Sequence, residues 1–199
     1  MRKGQLTEAR ILDVAAAMAC EGGLANVHLQ PLAARVGMTK SGLYAHFGSK
    51  ESLQLATVTA LAQRFVLTVV APNKQDSPGC ARLMGIAVRW LEWPMNTGLK
   101  GSCPLLAAAL VPTESEQANT LPRNVRLRLR QLFEEFRSVL LTMANSAERL
   151  GELQGIEPTV CVQTLIALRF GHQLTGSFLG DPSAQVLTHA AYRQVLGMR

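Results

Sequence analysis

The chain has 199 residues, enough for one compact domain or for a small module joined to a larger one. Hydrophobic residues make up 48% and charged residues 17%, too much apolar material and too little charge for a disordered chain. Lys plus Arg number 20 against 14 Asp plus Glu, a net +6 that fits an anionic partner without naming it, and that simple solubility would also explain.

Several classes drop out early. Cys20, Cys80, Cys103 and Cys161 lie far apart, with no CxxC pair and no Cys/His spacing suited to zinc, so neither a structural metal nor a cofactor is expected. Arg2 and Lys3 ahead of Val14–Cys20 imitate a secretory signal, but Glu8, Arg10 and Asp13 interrupt the apolar run, which reads as a helix that stays. The most apolar later stretch, 158–179, is broken by Gln163, Arg169, His172 and Gln173, which argues against a membrane span. A cytoplasmic location is the default expectation.

Asn-Gly and Asp-Gly hairpin turns are absent, and the apolar residues keep the helical period. A first helix over 7–21 carries Ile11, Val14, Ala15 and Met18 on one face and stops at Gly22-Gly23. A second runs from about Leu29 to Val36 and ends at Gly37, with Pro31 tolerated in its first turn. Thr39 caps a short third helix through Phe47, and Ser49 caps a longer one from Lys50 to about Val70, with Leu53, Ala56, Ala60, Leu61 and Leu67 as core candidates.

Residues 71–78 read as a polar loop, and a helix from Gly79 to Trp93 is stopped by Pro94. A Gly-rich connection over 96–102 leads to a short helix from Cys103 to about Val111, and 112–120 is a loop. From Leu121 to Leu150, apolar residues step by three or four over about eight turns, the longest helix. Residues 158–179 contain a single charge, Arg169, and a helix so apolar must be covered on several sides. Asp181-Pro182 caps a last helix running to Met198.

The informative chemistry lies in the first fifty residues. Two short helices joined by Gly37-Met38-Thr39 have the layout of a helix-turn-helix, whose second helix enters the DNA major groove. Thr39, Lys40 and Ser41 form its exposed first turn, and Gly42 lets the backbone approach the duplex. Leu43 and Phe47 point inward, Tyr44 and His46 can reach the DNA backbone, and Lys50 adds a cation at the next helix start. Lys40 and Lys50 are ordinary solvated lysines if the motif is false.

The string from Thr39 to Leu53, preceded by Ile11–Ala16, Gly22-Gly23 and Leu32–Gly37, resembles the N-terminal domain of TetR-type transcriptional regulators. It departs from that pattern over His28–Pro31, where the family usually has a Thr or Ser cap. The resemblance implies an all-α protein: an N-terminal three-helix DNA-binding domain over 1–50 and a larger helical domain over 51–199 for effector binding and dimerisation. It also implies a homodimer formed through the helices over 158–180 and 181–198, bound to a palindromic double-stranded DNA operator. The near absence of charge over 158–179 supports that dimer independently.

The effector is less legible. Trp90, Trp93, Cys103, Phe133, Phe136 and Phe170 could line a cavity or be plain core, with Arg137, Gln173 or His172 as its polar groups, which would suit a largely apolar small molecule. Cys103, before Pro104 at a helix start, reads either as a redox-sensitive thiol or as a small buried residue. The leading expectation is a ligand-released repressor rather than an enzyme. The alternatives are a helical interaction module with a non-functional helix-turn-helix and, remotely, an all-helical enzyme. No catalytic elbow, P-loop, HExxH or dinucleotide glycine pattern is present.

Overall fold

The computed structural model describes residues 3–96, 103–109 and 121–198. The connection expected over 97–102, the end of the short helix near Val111 and the loop over 112–120 lie outside the described residues. The described residues are helical, with no strand among them. They fall into two compact units: one comprises 1–64 and 94–132, the other 65–93 and 133–199.

In the first unit, α1 (Lys3–Gly22) packs on α2 (Leu29–Val36), which packs on α3 (Lys40–Phe47). Their shared core is Ile11, Ala15, Leu32 and Leu43, all essentially solvent-free, closed by Leu53 of α4 (Lys50–Phe65). Of the apolar face expected for α1, Ile11, Ala15 and Met18 are buried and Val14 is half-buried. Gly37 ends α2 in the left-handed region at φ 71°, open to glycine without strain, and turns the chain sharply into α3. Exposed ion pairs add ties: Arg35 Nη1 donates to Glu21 Oε2 at 2.7 Å between α2 and α1, and Arg64 of α4 pairs with Asp13 of α1. The short α6 (Pro104–Ala109) packs against the 3₁₀ turn Leu24–Asn26.

The second unit holds most of α5 (Cys80–Asn96), the later part of α7 (Arg123–Arg149), α8 (Pro158–His172) and α9 (Ala184–Val195). Here α8 packs along α9. The Glu152 carboxylate, just beyond α7, accepts the Cys80 N–H at 2.6 Å and so satisfies an amide at the start of α5.

Several boundaries differ from the sequence expectation. The helix from Lys50 is α-helical only to Phe65; a π turn over Val66–Val70 follows, and its extra residue rotates the register, burying Val69 and leaving Leu67 69% exposed. The expected polar loop begins with a 3₁₀ turn, Ala71–Gln75, held from α5 by Arg89, which donates to the Val69 carbonyl, Asn73 Oδ1 and Asp76 Oδ2. Pro94 does not stop α5, which runs on to Asn96. Burial of Trp90, Leu91 and Trp93 outweighs the one amide hydrogen bond that proline removes. Leu150 is exposed because α7 ends at Arg149 and the chain turns at Gly151; Ala144, Ala147 and Leu153 are buried instead.

The apolar helix from Pro158 becomes a π turn over Gln173–Phe178, and the last helix begins at Ala184. Asp181 does not cap it directly: its Oδ1 accepts the Ser183 N–H at 2.8 Å in a tight turn one step earlier. The continuous stretch Lys50–Gln75 is long and apolar enough to cross a membrane by length and composition alone. Its buried Leu53, Gln54, Thr57, Val58, Leu61 and Val69 are what a core helix of a folded protein presents.

Candidate functional site

Two-sidedness is the first property of α3. Leu43 is solvent-free and Phe47 nearly so, while Lys40, Ser41, Ala45 and His46 are exposed and Tyr44 is 55% exposed. A helix with 3.6 residues per turn that buries positions four apart must present the intervening side chains outward. Thr39 holds the first turn, its Oγ1 accepting the Gly42 N–H at 3.1 Å while lying 3.2 Å from Ser41 Oγ. A Cβ on Gly42 would sit 3.1 Å from that same Oγ1, so glycine here keeps room for the cap as well as access for the backbone.

Lys50 is half-buried at the start of α4, and burial lowers its ammonium pKa below the ordinary lysine value. Burial, then the nearby Lys50 charge, also lowers the pKa of His28. His28 occupies the N-cap of α2 without a side-chain cap bond. All seven residues expected to meet DNA thus lie on α3, in the turn before it or at the start of α4.

One residue behind this surface escaped the sequence reading. Gln54 of α4 is fully buried, and its Nε2 donates to the Leu24 carbonyl at 3.0 Å and reaches the Val27 carbonyl at 3.4 Å, pinning the turn between α1 and α2. Its signal was a lone amide on a face otherwise read as apolar.

In the second unit, aromatic side chains meet edge to face. Phe65 lies 4.9 Å from Phe136 and 5.3 Å from Trp93 between ring centroids, and Trp90 lies 4.9 Å from Phe136. Of the residues expected at an effector site, Trp90, Trp93 and Phe136 are brought together here. Phe133, Phe170 and Gln173 are half-buried, Arg137 is exposed, and Cys103 is buried in the other unit. Among the described residues the buried cation is instead Arg169, 2% exposed, its guanidinium carbon 5.8 Å from the centre of the Trp90 ring. Its sequence signal was being the only charge in an otherwise uncharged helix.

Comparison with known proteins agrees with this arrangement. The family model described as "Bacterial regulatory proteins, tetR family" matches residues 11–57, and that for "Tetracyclin repressor-like, C-terminal domain" matches 79–192. The chain belongs to the tetR family of bacterial regulatory proteins. Its helix-turn-helix is the family's DNA-binding element, and the larger helical part is the family's C-terminal domain.

Solved structures share the fold of this tetR-family chain. A TetR transcriptional regulator from Chloroflexus aurantiacus J-10-FL is 24% identical, with a TM-score of 0.80 over 100% of this chain and 98% of that one. A TetR-family regulator from Cytophaga hutchinsonii is 16% identical, with a TM-score of 0.79 over 99% and 96%. AibR, solved in complex with isovaleryl coenzyme A and operator DNA, is 17% identical, with a TM-score of 0.74 over 97% and 100%. No curated protein sequence matches the chain.

Proposed function

We propose that this tetR-family protein is a ligand-responsive repressor that binds a palindromic operator as a homodimer and is released by a small effector. Residues 1–50 form the DNA-binding module, with Thr39, Lys40, Ser41, Gly42, Tyr44, His46 and Lys50 as its contacts. Residues 51–199 form the effector-binding and dimerisation part. The observation that carries the reading is the division of α3 between a buried Leu43/Phe47 edge and an outward Lys40, Ser41, Tyr44 and His46 surface. Charge agrees: residues 1–50 hold six Lys or Arg against three acids, half the net excess of the chain on a quarter of its length.

The homodimer rests on the outer face of α8, its π extension and α9. Val160, Leu174, Phe178, Leu179, Val186 and Leu187 are 55–80% exposed, an apolar surface of the kind that a second copy covers. Two such helix pairs make an isologous four-helix interface. Two recognition helices on one dimer then suit half-sites about one DNA turn, ~34 to 36 Å, or a multiple apart.

Release requires the effector to bind one spacing of the recognition helices better than another. The path is α4, which begins at Lys50 next to α3, is anchored through Gln54, and continues by covalent connection into the second unit at Phe65. AibR shows that a protein of this fold accommodates both an acyl-coenzyme A and DNA. A mobility shift with DNA flanking the protein's own gene tests the proposal. A specific complex that weakens steeply with salt, by about 0.9 in log-log slope per phosphate neutralised, is the expected result. Binding no tighter than to unrelated DNA overturns it.

A further inference from the structure

The inner side of α8 and α9 carries a polar group that no second protein chain can reach. Tyr192 of α9 is 0% exposed and, among the described residues, its hydroxyl has no hydrogen-bond partner; His189 Nε2, one turn earlier, is likewise buried without one among them. Buried polar groups in folded proteins are nearly always satisfied by protein, water or a ligand. The outer apolar face of the same helices is where a second copy fits, so whatever meets the Tyr192 hydroxyl must be small.

The surroundings define the chemistry of that small partner. Arg169, on α8, places its guanidinium within electrostatic reach of both Tyr192 and His172, over the Trp90 ring, and gives one N–H to the neutral Gln173 Oε1 at 3.3 Å. Burial raises the Tyr192 phenol well above its ordinary pKa, so it stays an O–H donor, and burial lowers that of His172, so the ring stays neutral. One fixed cation and one phenolic donor match a planar monoanion, whereas a phosphate dianion would call for further cations. Trp90 in turn packs edge to face on Phe136, which meets Phe65 and, through it, Trp93, an apolar and aromatic cluster.

We infer that the effector is a carboxylic acid on an apolar or aromatic body, its carboxylate received by Arg169 and Tyr192 and its body packed against Trp90 and Phe136. This rests on the proposal that residues 51–199 take an effector, and names its chemical class. Arg169, not the exposed Arg137, is the charge-reading residue.

The test uses the full chain and its own fluorescence, since both tryptophans, Trp90 and Trp93, stand in the aromatic cluster. 3-Phenylpropionate and octanoate are titrated beside 3-phenylpropan-1-ol and octan-1-ol, which keep the body and lack the charge. The expected result is quenching by an acid at a concentration at least about tenfold below that of its alcohol. Tyr192→Phe, the mildest change, should weaken acid binding several-fold and leave alcohol binding unchanged; Arg169→Gln, checked for helical content by circular dichroism, should erase the preference for the acid.

Equal binding of acid and alcohol, no quenching by either acid up to millimolar concentration, or an undiminished preference in Tyr192→Phe overturns the inference. So does a crystal structure grown with the acid that shows only a water between Tyr192 and Arg169. The two readings fail separately. An alcohol that releases operator DNA without any acid preference leaves the repressor standing and removes the carboxylate, whereas an Arg169-dependent acid that leaves DNA binding untouched does the reverse.

Discussion

The side-chain amide of Gln54 donates to the Leu24 carbonyl at 3.0 Å, joining α4 to the turn between α1 and α2 across thirty positions of sequence. The helix that leads out of the DNA-binding module is thereby fixed to the scaffold that aims the recognition helix. Gln54→Ala removes the donor and leaves the buried Leu24 and Val27 carbonyls without it. Urea unfolding should show a loss of about 1–3 kcal/mol, the usual cost of stranding a buried polar group. Operator affinity should fall with it, and unchanged stability would mean that another donor takes over.

Tyr44 and Thr39 divide contact from support. Tyr44 is largely exposed and makes no core, so Tyr44→Ala should lower operator affinity about tenfold while leaving the melting temperature and oligomeric state unchanged. Thr39 caps α3 through Gly42, and Thr39→Ala should cost about 1 kcal/mol of stability as well as affinity. Thr39→Ser, which keeps the acceptor oxygen, should restore most of both. Calorimetry and mobility shifts on the same preparations separate the two effects.

Phe178, 80% exposed, and Leu187, 60% exposed, are apolar side chains the isolated chain leaves in water. Phe178→Glu with Leu187→Glu should yield a folded monomer by analytical ultracentrifugation, because neither side chain supports the chain's own core. Operator binding should drop steeply, since one recognition helix then acts without its twin. A dimer of undiminished strength would move the interface elsewhere.

Burial lowers the pKa of His172, and burial together with Lys50 lowers that of His28, both from an ordinary 6.5. Below that value the unfolded chain takes up protons that the folded chain resists. Stability is therefore complete above about pH 6.5 and declines as pH falls through that value toward the folded-state pKa. The thermal midpoint should be lower near pH 5.5 than near pH 7.5, and His172→Gln should flatten part of that slope; a midpoint rising with acidity would contradict the sign.

All four cysteines are buried, and desolvation pushes the Cys20 thiol up to about 12 and the Cys80 thiol up to about 11. Thiols held protonated are poor nucleophiles. Iodoacetamide should leave the native protein unmodified over hours and label all four positions after denaturation. Rapid native labelling at Cys103, which is 1% exposed, would revive its reading as a redox-sensitive thiol.

The sequence determined whatever is local and periodic. Gly37, Thr39 and the Leu43/Phe47 pair specify a turn, a cap and a buried edge within a dozen residues, and the outward positions of Lys40, Ser41, Tyr44 and His46 then follow from helix geometry alone. The long period of α7 was legible for the same reason. The tertiary structure decided what depends on neighbours far along the chain. Gln54 is an anchor only because Leu24 and Val27 turn their carbonyls toward it. Pro94 is tolerated because the tryptophans around it are buried, and a π turn rather than the apolar pattern exposes Leu67. The charge of Arg169 was visible in sequence, but a charge on a helix faces water or core according to what packs against it. Trp90, reaching it from α5, and the packing of α9 along α8 turned that lone arginine inward.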